Sequence, residues 1–196
     1  MHLHPARGYN DAMTPQIYLI GPAAGGPDAL KPALAAALAQ PDTVALLLPR
    51  GERSERDYKD LVKALAPEAQ AAGAAVLIEG EPGLVRMLGA DGLHVAGDVA
   101  ALREALSALR PDFIVGAGGV QSRDDAMAAG ELGPDYILFG PLSGTISTAG
   151  RELARWWAET MEIPGVLSDP DAKGEGIDAE GCEFIGLGLR AVEPVR

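Results

Sequence analysis

Two glycine-rich turns in this sequence can expose backbone N–H groups that would bind an anion. One is Gly116-Ala-Gly118-Gly119, which precedes a candidate helix start at Ser122, and the other is Gly186-Leu-Gly188. Backbone N–H groups exposed in such turns can hold a phosphate without any lysine. Glycine pairs also form ordinary turns, so the pattern leaves both a phosphate site and a purely structural turn open.

A short sequence motif that recurs four times predicts the fold in which these turns lie. Each copy is an acidic residue followed by a run of aliphatic and aromatic residues, which usually ends at a glycine. The acids are Asp91, Asp112, Asp135 and Glu183, and they recur at steps of about 20 to 25 residues or twice that. A step of this size fits one buried strand plus one covering helix. Continuous apolar runs are typical of parallel strands covered on both faces.

The whole sequence divides into eight such strands separated by helices, which predicts a small (β/α)₈ TIM barrel. The expected strands are 17–20, 44–48, 74–78, 93–95, 113–115, 136–139, 165–167 and 184–189. The expected helices are 28–38, 54–72, 82–88, 98–109, 122–132 and 151–161. Helix seven, in 169–181, is expected to be degenerate, and the chain stops at Arg196, too soon for a full eighth helix. An open doubly wound sheet is the alternative, and pairing of the first strand with the last distinguishes the two.

Residues 14–196 are expected to form this single barrel domain, after a flexible N-terminal extension of residues 1–13. Pro67 is expected to kink or divide the second helix. The adjacent Trp156 and Trp157 point about 100° apart on the sixth helix, so both cannot face the barrel equally. One of them either anchors the edge of the core or contacts a second subunit in a homodimer.

Composition and charge argue against several classes of partner. The 28 acidic and 16 basic residues give a net charge of −12, which repels nucleic acid and anionic lipid, and no basic patch overrides it. No apolar run is long enough to span a membrane, and residues 1–13 lack the apolar core of a signal peptide. The cytoplasm is therefore the expected location. The single cysteine, Cys182, fits a small core residue.

Three motifs resemble the thiamine phosphate synthase family and its thiazole tautomerase relatives. They are Ile17-Tyr-Leu-Ile20, Gly89-Ala-Asp-Gly-Leu-His-Val95 and Asp135-Tyr-Ile-Leu-Phe-Gly-Pro141, and the resemblance spans residues 17–189. It implies a (β/α)₈ barrel and a transferase that joins a pyrimidine pyrophosphate to a thiazole phosphate, with Mg²⁺ and release of pyrophosphate. That chemistry needs cations around the leaving group and N–H donors around the retained phosphate.

The resemblance also assigns candidate site residues to the loops that follow the strands, where barrels of this kind bind their ligands. The candidates for binding a phosphorylated substrate are Arg50, Gly118, Gly119, Thr145, Ser147, Gly186 and Gly188. Glu79 and Asp98 are the candidate ligands for Mg²⁺, and no catalytic residue is assigned. His94 is retained from the family motif and is interpreted as a packed, hydrogen-bonded strand residue.

Several cationic positions of the family are replaced in this chain. The polar and basic string that grips pyrophosphate after strand two aligns with the apolar stretch 45–49, and only Arg50 lies close enough to substitute. Thr148 stands in place of a lysine, and Asp169-Pro170 replaces a glycine pair. Because a single transition-state donor can be worth about 3 kcal/mol, we expect poor synthase turnover. The alternative is a non-catalytic barrel that binds a small ligand or a protein partner.

Overall fold

In the computed structural model of the protein, eight parallel strands close into one barrel in chain order, with β8 paired to β1. The structure describes residues 14–173 and 177–189. The strands are β1 Gln16–Ile20, β2 Thr43–Leu48, β3 Ala75–Ile78, β4 Gly92–Ala96, β5 Ile114–Gly118, β6 Tyr136–Phe139, β7 Gly165–Ser168 and β8 Phe184–Gly188. The helices are α1 Pro27–Leu38, α2 Glu55–Ala71, α3 Pro82–Leu88, α4 Val99–Leu109, α5 Arg123–Gly130 and α6 Thr148–Thr160. The predicted TIM barrel is confirmed, and the open-sheet alternative is wrong because Tyr18 of β1 pairs with Gly186 of β8.

One helix follows each of the first six strands. No helix forms in the described part of 169–181, as predicted for a degenerate helix seven. The expected truncation of helix eight and the expected extension 1–13 lie outside the described residues. Pro67 does not divide α2, which is one helix from Glu55 to Ala71. Leu61, Leu65 and Ala69, on both sides of the proline, are buried on the same face of this helix. Within the described ranges, no helix is long and apolar enough to cross a membrane.

The apolar core has two layers, one inside the barrel and one between the barrel and the helices. The inner layer consists of Tyr18, Ile20, Ala45, Leu47, Ala75, Leu77, Ile114, Tyr136, Leu138, Val166 and Phe184. The outer layer includes Leu34, Leu61, Val85, Leu102 and Trp157. Continuous apolar runs are therefore explained by burial on both faces of each strand.

The repeated acids lie at the amino ends of the strands. Asp91 Oδ2 accepts the Val76 N–H at 2.8 Å, Asp135 Oδ2 accepts the Val115 N–H at 2.8 Å, and Glu183 Oε2 accepts the Gly165 N–H at 2.9 Å. Each of these acids thus ties the entry of its own strand to the strand before it. The fourth, Asp112, forms an ion pair with Arg86 at 3.5 Å. Three of the four repeated acids therefore join neighbouring strands, at the end of the barrel opposite to the candidate site.

The two tryptophans have different surroundings. Trp157 is buried and donates its Nε1–H to the Ile163 carbonyl at 2.8 Å. Trp156 is partly buried, with the Arg123 guanidinium 4.7 Å from its ring centroid. Trp157 is therefore an anchor of the outer core. Cys182 is also buried, which confirms its interpretation as a core residue.

Candidate functional site

Eight of the nine predicted site residues lie at one end of the barrel, formed by the carboxyl ends of the strands and the loops after them, here called the rim, whereas Gly186 lies in the middle of β8, paired with Tyr18 of β1. Arg50 follows β2, Glu79 follows β3, Asp98 follows β4, Gly118 ends β5, Gly119 follows it, Thr145 and Ser147 lie between β6 and α6, and Gly186 and Gly188 lie in β8. This common location follows from the parallel topology, because the carboxyl ends of all strands meet at the same edge.

Arg50 and Glu79 are joined through the backbone. The Arg50 N–H donates to Glu79 Oε2 at 2.8 Å. The Tyr58 hydroxyl supports both loops, because it donates to the Leu48 carbonyl at 2.7 Å and accepts the Glu79 N–H at 2.8 Å. Burial raises the pKa of Glu79, and the Arg50 N–H opposes that rise. The tyrosine that supports this carboxylate was missed in the sequence, since it lies on α2, 21 residues before Glu79.

Asp98 and Glu79 line different cavities. Asp98 is exposed and caps α4, with its Oδ1 accepting the Ala100 N–H at 2.7 Å. It lines a cavity of about 70 Å³ with Gly118 and Gly119. Glu79 lines another cavity, of about 260 Å³, together with Ala96. Among the described residues, no three His, Cys, Asp or Glu side chains are grouped so as to hold a metal ion.

The loop between β6 and α6 presents two hydroxyl groups. Ser147 is the N-cap of α6, and its Oγ accepts the Gly150 N–H at 3.1 Å. Thr145 is exposed. Between them, the Ile146 N–H donates to Asp169 Oδ1 at 3.3 Å. The loop is therefore attached to the end of β7 by a carboxylate.

The negative charge of Asp169, which follows β7, is neutralised by another residue of the chain. Asp169 is buried, and its Oδ2 pairs with the Arg151 guanidinium. Arg151 also lies 3.7 Å from Glu180. The negative charge expected beside the phosphate turns is thus matched by an arginine from α6.

The two β8 glycines are close-packed against the end of β7 and the segment after it. A Cβ on Gly188 would lie 2.6 Å from the Pro170 carbonyl oxygen, and one on Gly186 would lie 3.0 Å from Ser168 Cα. The Gly188 N–H donates to the Pro170 carbonyl at 3.2 Å. These glycines therefore allow two backbone segments to approach closely, and a phosphate would have to compete with Pro170 for the Gly188 donor.

Positive charge is sparse at the rim. The lysines and arginines of the described loops that follow strands are Arg50, Arg53 and Lys173. The Arg53 guanidinium donates to backbone carbonyls of Pro22, Gly25 and Pro49, so it holds two loops together. Within the described ranges, the exposed Arg50 side chain makes no hydrogen bond or ion pair. Arg50 is thus the cation best placed to meet an incoming anion.

A chain of polar groups lies inside the barrel below the rim. The Tyr18 and Tyr136 hydroxyl oxygens are 2.7 Å apart, and the Tyr136 hydroxyl lies 2.9 Å from His94 Nδ1. All three side chains are buried, which confirms His94 as a packed, hydrogen-bonded residue. Tyr18 and Tyr136 were missed as partners, although two inward tyrosines in otherwise aliphatic strands were a usable signal.

Residues 17–168 match the sequence model of a family described as thiamine monophosphate synthase. A thiamine-phosphate synthase of Rhodospirillum centenum is 38% identical over 156 residues, which cover 77% of this chain and 75% of that protein. A thiamine-phosphate synthase of Hyphomonas neptunium is 35% identical, with 77% and 73% covered. A solved structure, the thiamine phosphate pyrophosphorylase from Pyrococcus furiosus, superposes with a TM-score of 0.67 at 22% identity and covers 88% of this chain and 85% of its own. That last likeness is one of fold.

Proposed function

The chain belongs to the thiamine monophosphate synthase family, and from that premise we propose that it binds a phosphorylated thiazole or pyrimidine of thiamine biosynthesis at the rim. The observation that carries the proposal is that the candidate residues lie at or near the carboxyl ends of the strands and in the loops after them, although Asp98 and Glu79 line different cavities there. Parallel barrels bind their ligands at this end, with phosphate held by loop backbone and helix starts.

Each group of candidate residues would make a different kind of contact with the ligand. The exposed Arg50 guanidinium pairs with a phosphate or pyrophosphate oxygen. Thr145 and Ser147 offer hydroxyl groups beside the start of α6. Gly118 and Gly119 leave room for the ligand ahead of α5, where Gly119 has a φ of 73° that a larger residue would adopt only with strain. Gly186 and Gly188 close the site from β8.

Glu79 and Asp98 are the residues that would hold Mg²⁺. Each uses one carboxylate oxygen for a backbone N–H, so the second oxygen stays free for a ligand. Mg²⁺ is commonly held by one or two carboxylates plus substrate phosphates and water, so a single carboxylate, from Glu79 or from Asp98 in its own cavity, would suffice. When bound, the ion would neutralise charge on a pyrophosphate.

We propose in addition that synthase turnover is slow. Departure of pyrophosphate requires several positive groups, each worth about 3 kcal/mol in the transition state. Arg53 of the rim is committed to backbone carbonyls, and Arg151 of the neighbouring α6 to carboxylates. Arg50 alone is left to replace the polar and basic residues that the family carries after β2. The residues present thus support binding more than transfer.

Titration calorimetry with the thiazole phosphate, the pyrimidine pyrophosphate and pyrophosphate, each with and without Mg²⁺, tests the proposal. We expect saturable binding of at least one of them and slow formation of thiamine phosphate when both substrates are supplied. Binding of none would contradict the proposal and favour a barrel that serves another ligand or a protein partner. Turnover of about 1 s⁻¹ or more would contradict the slow-transfer half alone.

A further inference from the structure

The Arg53 side chain lies between two loops of the rim, and every one of its donors is occupied. A guanidinium carries five N–H groups in a planar fork. Nε donates to the Gly25 carbonyl at 3.2 Å, and Nη2 donates to Pro22 at 2.8 Å and to Gly25 at 3.1 Å. Nη1 donates to the carbonyls of Pro49 at 3.0 Å and Arg50 at 3.4 Å. Arg53 therefore joins the loop after β1 to the loop after β2.

These bonds leave Arg53 without a free donor for a ligand. In the described part of the chain, its guanidinium forms no ion pair with a carboxylate. Backbone carbonyls are thus what hold it in place, and an anion could recruit it only by breaking bonds that keep two loops together. Any contribution of Arg53 to ligand binding must therefore pass through the loops that it joins.

The loop after β2 carries Arg50, whose backbone is held on both sides while its side chain is exposed. The Arg50 N–H donates to Glu79 Oε2 at 2.8 Å. The Arg50 carbonyl accepts from Arg53 Nη1 and from the Arg53 backbone N–H, each at 3.4 Å. A binding side chain on a fixed backbone has less freedom to lose when its ligand arrives, so part of the cost of binding is removed beforehand.

The residues beside Arg53 support the same geometry. Gly51 has a φ of 57°, in the left-handed region that favours glycine, and a Cβ there would lie 2.2 Å from the Ala23 carbonyl oxygen. Glycine thus lets the two loops meet. On its other side, Arg53 directly precedes Ser54, the N-cap of α2, whose Oγ accepts the Asp57 N–H at 3.2 Å. The start of α2 therefore fixes the backbone from which the Arg53 side chain extends.

We propose that Arg53 is a positioning residue of the anion site. It holds the loop after β2 so that the Arg50 guanidinium is presented to the pyrophosphate group of the ligand, and it makes no contact with the ligand itself. The inference rests on the proposed function for the nature of this ligand. It gives the two rim arginines different roles, since Arg50 binds the anion and Arg53 orients Arg50.

Calorimetric titration of the full-length protein with pyrophosphate tests the role of Arg53. We expect Arg53→Met and Arg53→Lys each to weaken binding by about three- to tenfold, as for the loss of a preorganised side chain. Lysine keeps the charge, but its single ammonium cannot bridge carbonyls of two loops. Arg56→Met is the control, because it removes the same charge from an exposed position in α2, and its affinity should equal that of the wild type. Wild-type affinity in Arg53→Lys would overturn the inference.

A double-mutant cycle with Arg50→Ala separates positioning from direct contact and from a general loosening of the rim. Because Arg53 acts through Arg50, Arg53→Met should weaken pyrophosphate binding by no more than about twofold once Arg50 is alanine. A further loss of about three- to tenfold in that background would show that Arg53 contributes to binding independently of Arg50, and would overturn the inference. Arg53→Lys in the same background repeats the test with the charge retained, should the methionine variant fold poorly.

Backbone ¹⁵N relaxation of the free protein provides a readout that needs no ligand. In Arg53→Lys we expect the order parameters of Arg50 and Gly51 to fall from about 0.85 to below about 0.6. That of Glu79 should stay unchanged, because its N–H is held by the Tyr58 hydroxyl. A rigid Arg50 in this variant would overturn the inference. A wild type that binds the thiazole phosphate but not pyrophosphate would overturn the inference alone, whereas one that binds none of the three ligands overturns the proposed function with it.

Discussion

The Asp169 carboxylate pairs with the Arg151 guanidinium and thereby joins the end of β7 to the first turn of α6. The Asp169 side chain is 4% exposed and that of Arg151 is 29% exposed. The same carboxylate accepts the Ile146 N–H, so the loop that carries the two hydroxyl groups of the candidate site depends on it. Because Arg151 neutralises it, the negative charge of Asp169 at the rim has a structural role.

Removal of the arginine from this pair should therefore be costly. We expect Arg151→Met to lower the free energy of unfolding by about 3 kcal/mol, because it leaves a buried carboxylate without its counter-charge. Urea denaturation at pH 7 measures the loss. The double variant Arg151→Met with Asp169→Asn should recover most of it. Arg56→Ala provides the control, since the exposed pair of Arg56 with Asp60 contributes less than about 1 kcal/mol. Equal losses in the two single variants would contradict this account.

The sequence predicts the barrel well because its signals are local. Each strand is a continuous apolar run, most of them followed within a residue or two by glycine or proline, and the acids Asp91 and Asp135 mark strand entries. What these acids do was not predictable, since their N–H partners lie on the preceding strand, 15 and 20 residues away. Parallel pairing depends on sequence-distant contacts that no local pattern specifies.

The placement of the candidate residues near one edge of the barrel was predictable from the sequence, but their contacts were not. Topology places the loops at one edge, so the location of Arg50 or Thr145 follows from the strand ends alone. The contact between Tyr18 and Tyr136 spans 118 residues, and that between Tyr136 and His94 spans 42. Both depend on the missing side chain of Gly116, and a glycine within a strand has several possible causes.

Gly116 should tolerate no side chain. A Cβ there would overlap the Tyr136 ring at 1.9 Å, so we expect Gly116→Ala to lose about 3 kcal/mol or more of unfolding free energy, or not to fold. Gly83→Ala is the control, because nothing lies within 4 Å of its Cβ position in α3 and alanine is the better helix former. Thermal and urea unfolding of both variants measure the contrast. A stable Gly116→Ala protein would show that the tyrosine does not cross β5.

The stability of the fold should fall in mildly acidic solution because of His94. An unfolded histidine titrates near 6.5, whereas burial lowers the pKa of His94 in the fold to about 4. Above pH 6.5 the ring is neutral in both states and has no effect on stability. Between those two values the unfolded chain binds a proton that the folded chain does not, so stability falls as the pH falls, by about 3 kcal/mol in total. Urea denaturation from pH 8 to 4 should show a steeper loss for the wild type than for His94→Gln; parallel curves would refute the prediction.

Arg50 should matter for anion binding and hardly at all for stability. Its guanidinium is exposed, and its contact with Glu79 uses the backbone N–H, which Arg50→Ala retains. We expect this variant to bind pyrophosphate about tenfold more weakly, as for the loss of one charge-assisted hydrogen bond, with an unchanged unfolding free energy. Lys63→Ala removes the same charge from an exposed position in α2 and should leave the affinity intact. An equal decrease in both variants would indicate that net charge, rather than a site at the rim, controls binding.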